Sequence, residues 1–353
     1  MEVCILGNNL TSLTLAKTLV NQGIYVDIFS TNHNQRIDKN RTLGISKKNI
    51  DFFNKNILNI DKLLWDIDKI EIYSENLNDK KILNFTDVEK LFSIIKNKEL
   101  IEHLLTKLKK DKLCKFKKVK ISNNLIEQDY KLIINCDFNN SIAKKFFYNQ
   151  LKKNYNSFAY TTIIKHKKIQ NNVAKQFFTS RGPLAFLPIS NTETSVVFSV
   201  RGKEKIDLEA FIKKYNIEYK IIFIDKSSCI ELKSSNLRSY HHKNVLAFGD
   251  LLHKIHPLAG QGFNMTLRDI REIFNLIKFK KNNGLDLDSS ICHEFEKNMR
   301  HKNYLFSNGI DFIYEFFTLE NKIKSKLFSQ SLKILGKNKF INNFFKKAAD
   351  NGI

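Results

Sequence analysis

A chain of 353 residues with 42% hydrophobic side chains can bury a substantial core, which argues against global disorder and predicts one large domain or two interleaved ones. The formal charge of +23 invites a polyanion. However, the lysines are spread along the whole chain and no nucleic-acid module accompanies them, so nucleic acid is set aside and an anionic membrane surface is the expected attraction.

From the N-terminus, "VCIL", "GNNLTS", "LTLAKTLVNQG" and "IYVDIFS" read strand, tight turn, helix, strand, with Leu13, Ala16 and Val20 on one helical face and Gly23 as C-terminal cap. This βαβ unit implies a parallel sheet. A helix is predicted from about Leu91 to Lys110, then a buried strand over Leu132 to Asn135 that leads into the polar loop "CDFNNS". From about Tyr155 to Ile230, short β-rich runs such as "FAYTTIIKH" and "TSVVFSV" predict an antiparallel sheet, hence a second domain inserted into the first. "NVLAF" returns as one more buried strand, and the tail from about Cys292 is helical and rich in Phe and Lys. The five cysteines are scattered without a CxxC pair, which argues for reduced thiols and against a zinc site. No apolar run of roughly 18 residues and no basic leader is found, so a cytoplasmic protein without a membrane span is expected.

Two places carry chemistry. In "GNNLTS" a nucleotide-binding turn would have three glycines; Gly7 is one, and Asn9 and Ser12 stand in the other two places, while Ser30 stands where an acidic residue would hold a ribose. The stretch "GDLLHKIHPLAGQGFNMTLRD" delivers Asp250 to the end of a strand and then opens an amphipathic helix with Phe263, Leu267, Ile270, Phe274 and Ile277 on one face. Between them lie a Pro and two Gly, whose backbone amides and helix dipole suit a group that is or becomes negative. No Ser or Cys nucleophile accompanies them, so hydrolysis is not suggested.

"GD", three residues, then "HPLAGQGFNMTLRD" resembles the FAD-contacting signature of the flavin-dependent aromatic hydroxylases, and within them the ubiquinone-biosynthesis hydroxylases. The resemblance runs along nearly the whole chain, through "RTLGIS", "NKELIEHLL", "CDFNNS", "TSRGPLAFLPI" and "LFSNG". It implies an α/β fold: a three-layer, Rossmann-like FAD-binding domain from residues 1–75, 93–154 and 239–291, an interleaved antiparallel-sheet substrate domain from 76–92 and 155–238, and a helical C-terminal region from 292–353.

It further implies a monooxygenase that hydroxylates the ring of a polyprenylated phenol through a flavin hydroperoxide. Dioxygen is the co-substrate, and NAD(P)H or a separate reductase the electron donor. The implied cofactor contacts are Gly7, Asn9, Ser12, Arg41, Lys98, Asp250, Pro257, Gly260, Gln261, Gly262 and Asn264. Flavin carries the chemistry, so no side chain is assigned as catalytic. His253 and His256 are read as proton carriers or as structural imidazoles bonded to backbone, and His256 is retained as the candidate. Asp137 is expected to orient the cofactor loop, although Phe138 replaces the family's Gly. Partners implied are the polyprenylated substrate, the inner-membrane surface, to which the tail helix "KNKFINNFFKKAA" would add, and other ubiquinone-biosynthesis proteins. Two rivals stay open: a non-catalytic member of such an assembly, and an FAD-dependent dehydrogenase.

Overall fold

The computed structural model describes residues 2–30, 38–75, 80–86, 92–118, 130–202, 206–255 and 261–323. In chain order these form β1 (Glu2–Leu6), α1 (Leu10–Val20), β2 (Tyr25–Ser30), β3 (Thr42–Ser46), α2 (Lys47–Asn56), β4 (Trp65–Ile67), β5 (Lys69–Ser74), β6 (Lys80–Thr86) and β7 (Phe92–Lys96). There follow α3 (Asn97–Leu108), β8 (Cys114–Lys118), β9 (Ile133–Asn135), α4 (Ser141–Phe146), β10 (Gln150–His166), β11 (Val173–Thr179), β12 (Gly182–Pro188) and β13 (Glu193–Arg201). The remainder is α5 (Leu208–Tyr215), β14 (Ile221–Ile224), β15 (Ser228–Leu237), β16 (His241–His242), β17 (Val245–Ala247), β18 (His253–Lys254), α6 (Gln261–Asn282) and α7 (Ser289–Ile323).

The strands make three sheets. The first, ordered β16-β17-β9-β1-β2-β8, is parallel apart from β16. Its central strands read as continuous apolar runs because both faces are covered: Val3 to Leu6 have no exposed surface. α1 is buried nearly all round and not on one face only. Its buried threonines keep their hydroxyls bonded inside the helix, Thr14 Oγ1 to Leu10 O and Thr18 Oγ1 to Thr14 O, both at 2.8 Å. Gly23, at φ +74°, closes it as expected.

The second sheet is ordered β18-β15-β10-β13-β12-β11-β5-β6, with β14 beside β10. It is antiparallel except for the parallel pair β11 and β5. The third sheet, β3-β7-β4, overturns part of the helix expected over Leu91 to Lys110. Phe92 to Lys96 pair with β3, and Phe92 to Ile94 also with β4, burying Ile94 and Ile95, and the helix starts only at Asn97. A pair of β-branched residues ahead of a leucine-rich helix fits either state locally, and two partner strands decide for the sheet.

α6 follows the expected pattern: Phe263, Leu267, Ile270 and Ile277 are buried, and half-buried Phe274 meets Phe52 edge-on at 5.8 Å. α7 carries the tail to Ile323; the "KNKFINNFFKKAA" helix lies outside the described residues. Among the described residues no helix is long and apolar enough to cross a membrane.

Candidate functional site

Three neighbouring parallel strands, β17, β9 and β1, end side by side, which is where open α/β sheets take ligands. β1 turns at Gly7, where φ is +108° and a Cβ would lie 3.2 Å from both Asp137 Cβ and Ser12 Oγ. That position requires glycine. β9 runs out through buried Cys136 into half-buried Asp137 and exposed Phe138, and β17 runs out through Gly249 into exposed Asp250. Burial pushes the Cys136 thiol up to about 12, so it stays protonated beneath the crevice.

Asn9 shows what replaced the glycine-rich turn. Its Oδ1 caps α1, accepting from Ser12 N at 3.0 Å and from Ser12 Oγ at 3.1 Å, while its Nδ2 donates to Cys136 O at 2.8 Å. The turn is therefore rigid, and one of the helix's N-terminal amides is already used. Gly249 holds the other side. At φ +61°, a Cβ there would come within 2.7 Å of Thr11 Cγ2, so the strand end delivering Asp250 lies directly on the first turn of α1.

A second group gathers around β3. The amide of Asn97 donates to Arg41 O at 3.0 Å, which sets the exposed Arg41 beside the first turn of α3, where Lys98 pairs with Glu102 at 3.5 Å. Asn264, in the first turn of α6, is turned into the protein. Its Nδ2 donates to Gly44 O at 2.9 Å, and its Oδ1 accepts from Ser46 N and Asn49 Nδ2. It pins the start of α6 to β3 and α2. Among the described residues, nothing beyond its own helix comes within 4 Å of where a Cβ at Gly262 would stand. His256, Pro257 and Gly260 lie outside the described residues, as does the side chain of Gln261.

The sequence reading missed Asp269. His253, on β18, is 3% exposed and directs Nε2 at Oδ2 of Asp269, which is fully buried on α6. The imidazole is thus structural, but its partner is a carboxylate and not the expected backbone. Beside the pair, Arg268 donates to Asn303 Oδ1 on α7 at 2.5 Å and lies over the Phe306 ring at 5.0 Å. The "LRD" of the motif was the available signal, since an acid that turns inward on an apolar helix needs a buried partner.

An extended dinucleotide fits this arrangement. Gly7 leaves room for a close backbone approach at the end of β1, and Asp137 and Asp250 stand at the ends of the adjacent strands β9 and β17 beside the first turn of α1.

No protein-family model matches the chain. Among curated proteins it is 23% identical over 274 residues to the ubiquinone biosynthesis monooxygenase COQ6, mitochondrial, of Schizosaccharomyces pombe, an alignment covering 63% of this chain and 57% of that protein. The chain thus spans little more than half of this relative's length. Among solved structures, p-nitrophenol 4-monooxygenase PnpA from Pseudomonas putida superposes with a TM-score of 0.80 at 10% identity, covering 99% of this chain and 98% of that one. HpxO of Klebsiella pneumoniae, solved with FAD and uric acid, gives 0.76 at 12% identity, covering 99% and 96%. The chain therefore has the fold of the FAD-dependent monooxygenases, and in sequence it is similar to a ubiquinone biosynthesis monooxygenase.

Proposed function

We propose that this chain binds FAD along the crevice at the ends of β1, β9 and β17 and hydroxylates the ring of a polyprenylated phenol in ubiquinone biosynthesis. The observation that carries the reading is the convergence of Gly7, Asp137 and Asp250 on three adjacent strand ends, in a chain whose curated relative has the matching name. Bound and reduced, the flavin would supply the activation of dioxygen; the protein's part is to bind, orient and polarise. Gly7 lets backbone approach the pyrophosphate, and Asn9 keeps the turn rigid. Asp250 accepts from ribityl hydroxyls, and Arg41 pairs with a phosphate. The N-terminus of α6, with the amides of Gln261 and Gly262, stabilises negative charge on the flavin's pyrimidine edge.

NAD(P)H or a separate reductase would be the electron source. Because the substrate's prenyl chain lives in lipid, the reading includes peripheral contact with the inner membrane from the cytoplasmic side, and association with other ubiquinone-biosynthesis proteins.

Titration of the purified protein with FAD, followed by flavin fluorescence and thermal stabilisation, tests the cofactor. A protein that stays colourless and is not stabilised by excess FAD removes it, and leaves the non-catalytic rival, which the self-capped Asn9 turn favours. If FAD binds, labelled dioxygen tests the reaction, since a product ring without label points to dehydrogenation. Arg41→Gln is expected to weaken FAD binding about tenfold, the worth of one charge-assisted contact, without changing the melting temperature of the apoprotein.

A further inference from the structure

β14 lies at an edge of the second sheet. It is four residues long and, among the described residues, pairs only with the end of β10, from Ile164 to His166. Consecutive strand residues point to opposite faces, yet both Ile222 (69% exposed) and Phe223 (57%) stand in solvent. Ile217, in the turn before the strand, is 60% exposed. Exposed large apolar side chains on both faces of one strand and in the turn before it are unusual on a surface that contacts only water.

The charges around them are mixed but mainly basic, with Glu209 and Asp225 among the lysines. Lys213, Lys220 and Lys165 are exposed beside β14, and Lys165 Nζ lies 6.0 Å from the centre of the Phe223 ring. Of the nearby acids, Glu218 is engaged by Lys175. A second copy of the same patch would bring lysines against lysines, and a four-residue edge offers a partner strand few hydrogen bonds. Apolar tips in mainly basic surroundings match an anionic bilayer surface, where the tips reach the acyl boundary, the ammonium groups meet headgroups, and interfacial water still serves the strand edge.

We infer that the β14 ledge, Ile217 with Ile222 and Phe223, docks this protein on an anionic lipid bilayer. This deepens the membrane contact proposed above and rests on that part of the reading alone. The ledge also adjoins the candidate site: the turn after β14 is tied to the segment leading into Arg41, with Asn40 Nδ2 donating to Lys226 O at 2.7 Å and Ser228 Oγ to Asp38 Oδ1 at 3.1 Å. A bilayer held at the ledge lies beside the chain's Arg41 side.

The test is flotation of the full chain with vesicles of phosphatidylcholine, with and without phosphatidylglycerol. The wild-type chain is expected to float with the anionic vesicles only. Ile222→Ser with Phe223→Ser is expected to lower that partitioning at least tenfold, about 1.4 kcal/mol, and Lys213→Gln with Lys220→Gln to lower it at low salt. Both double variants should keep the wild-type melting temperature and FAD titration, which separates this test from the flavin reading. Unchanged flotation of the Ile222 and Phe223 variant overturns the inference, as does a wild-type chain that ignores anionic vesicles. Sedimentation that shows a dimer abolished by the same substitutions also overturns it, by giving the ledge to a second copy.

Discussion

Asp269→Ala is expected to lower the folding stability by about 3 kcal/mol or more, as read from urea denaturation followed by circular dichroism. Asp269 and His253 are almost fully excluded from water, and each is the other's hydrogen-bond partner across α6 and β18. Removing the carboxylate leaves the imidazole buried without an acceptor and opens a void on a helix face that is otherwise packed. Asp269→Asn keeps the shape and one acceptor, so its loss should be less than half as large. A change within about 0.5 kcal/mol for the alanine variant would mean that water reaches the pair, and the structural role given to it would be wrong.

Gly249→Ala is expected to cost about 2–4 kcal/mol and at least tenfold in FAD affinity, measured by thermal melting and flavin fluorescence titration. Two separate penalties act. At φ +61° alanine is disfavoured by roughly 1 kcal/mol, and its Cβ would sit 2.7 Å from Thr11 Cγ2. Thr11 cannot retreat, because it is buried in the first turn of a helix that is itself enclosed. The strand end must move instead, and Asp250 moves with it. Adding Thr11→Ala should recover the steric share and leave the backbone share. If Gly249→Ala binds FAD as tightly as the wild type, Asp250 is not the ribityl contact proposed for it.

The first βαβ unit was legible because each of its signals is local: an unbroken apolar run, Gly7 at the turn, and Gly23 after the helix. α6 was legible for the same reason, its buried positions recurring at helical spacing. β7 was not, since Ile94 and Ile95 become a strand only through β3 and β4 on either side. β18 is two residues long and exists because Ser235 and Asn236 of β15 stand opposite it, which no local pattern encodes. Within the site, Gly7 and Gly249 have conformations and neighbours that account for glycine, whereas Asn264, placed by its motif among the cofactor contacts, spends its amide on Gly44, Ser46 and Asn49. Asp269 could not be paired with His253 by spacing alone, because the two are 16 positions apart on different elements.

β18 has a thermodynamic consequence. Its two residues join the large antiparallel sheet through Asn236 and Ser235, and Leu237 N donates to Leu252 O at 3.0 Å just before it. The backbone that enters the stretch between Lys254 and Gln261 is thus part of one sheet, while Gly249 and Asp250, a few residues earlier, belong to the end of the other. A molecule that shifts the antiparallel sheet relative to the first would then act on the seat proposed for the flavin. By reciprocity, whatever factor it adds to the cofactor's affinity, the cofactor returns to it unchanged.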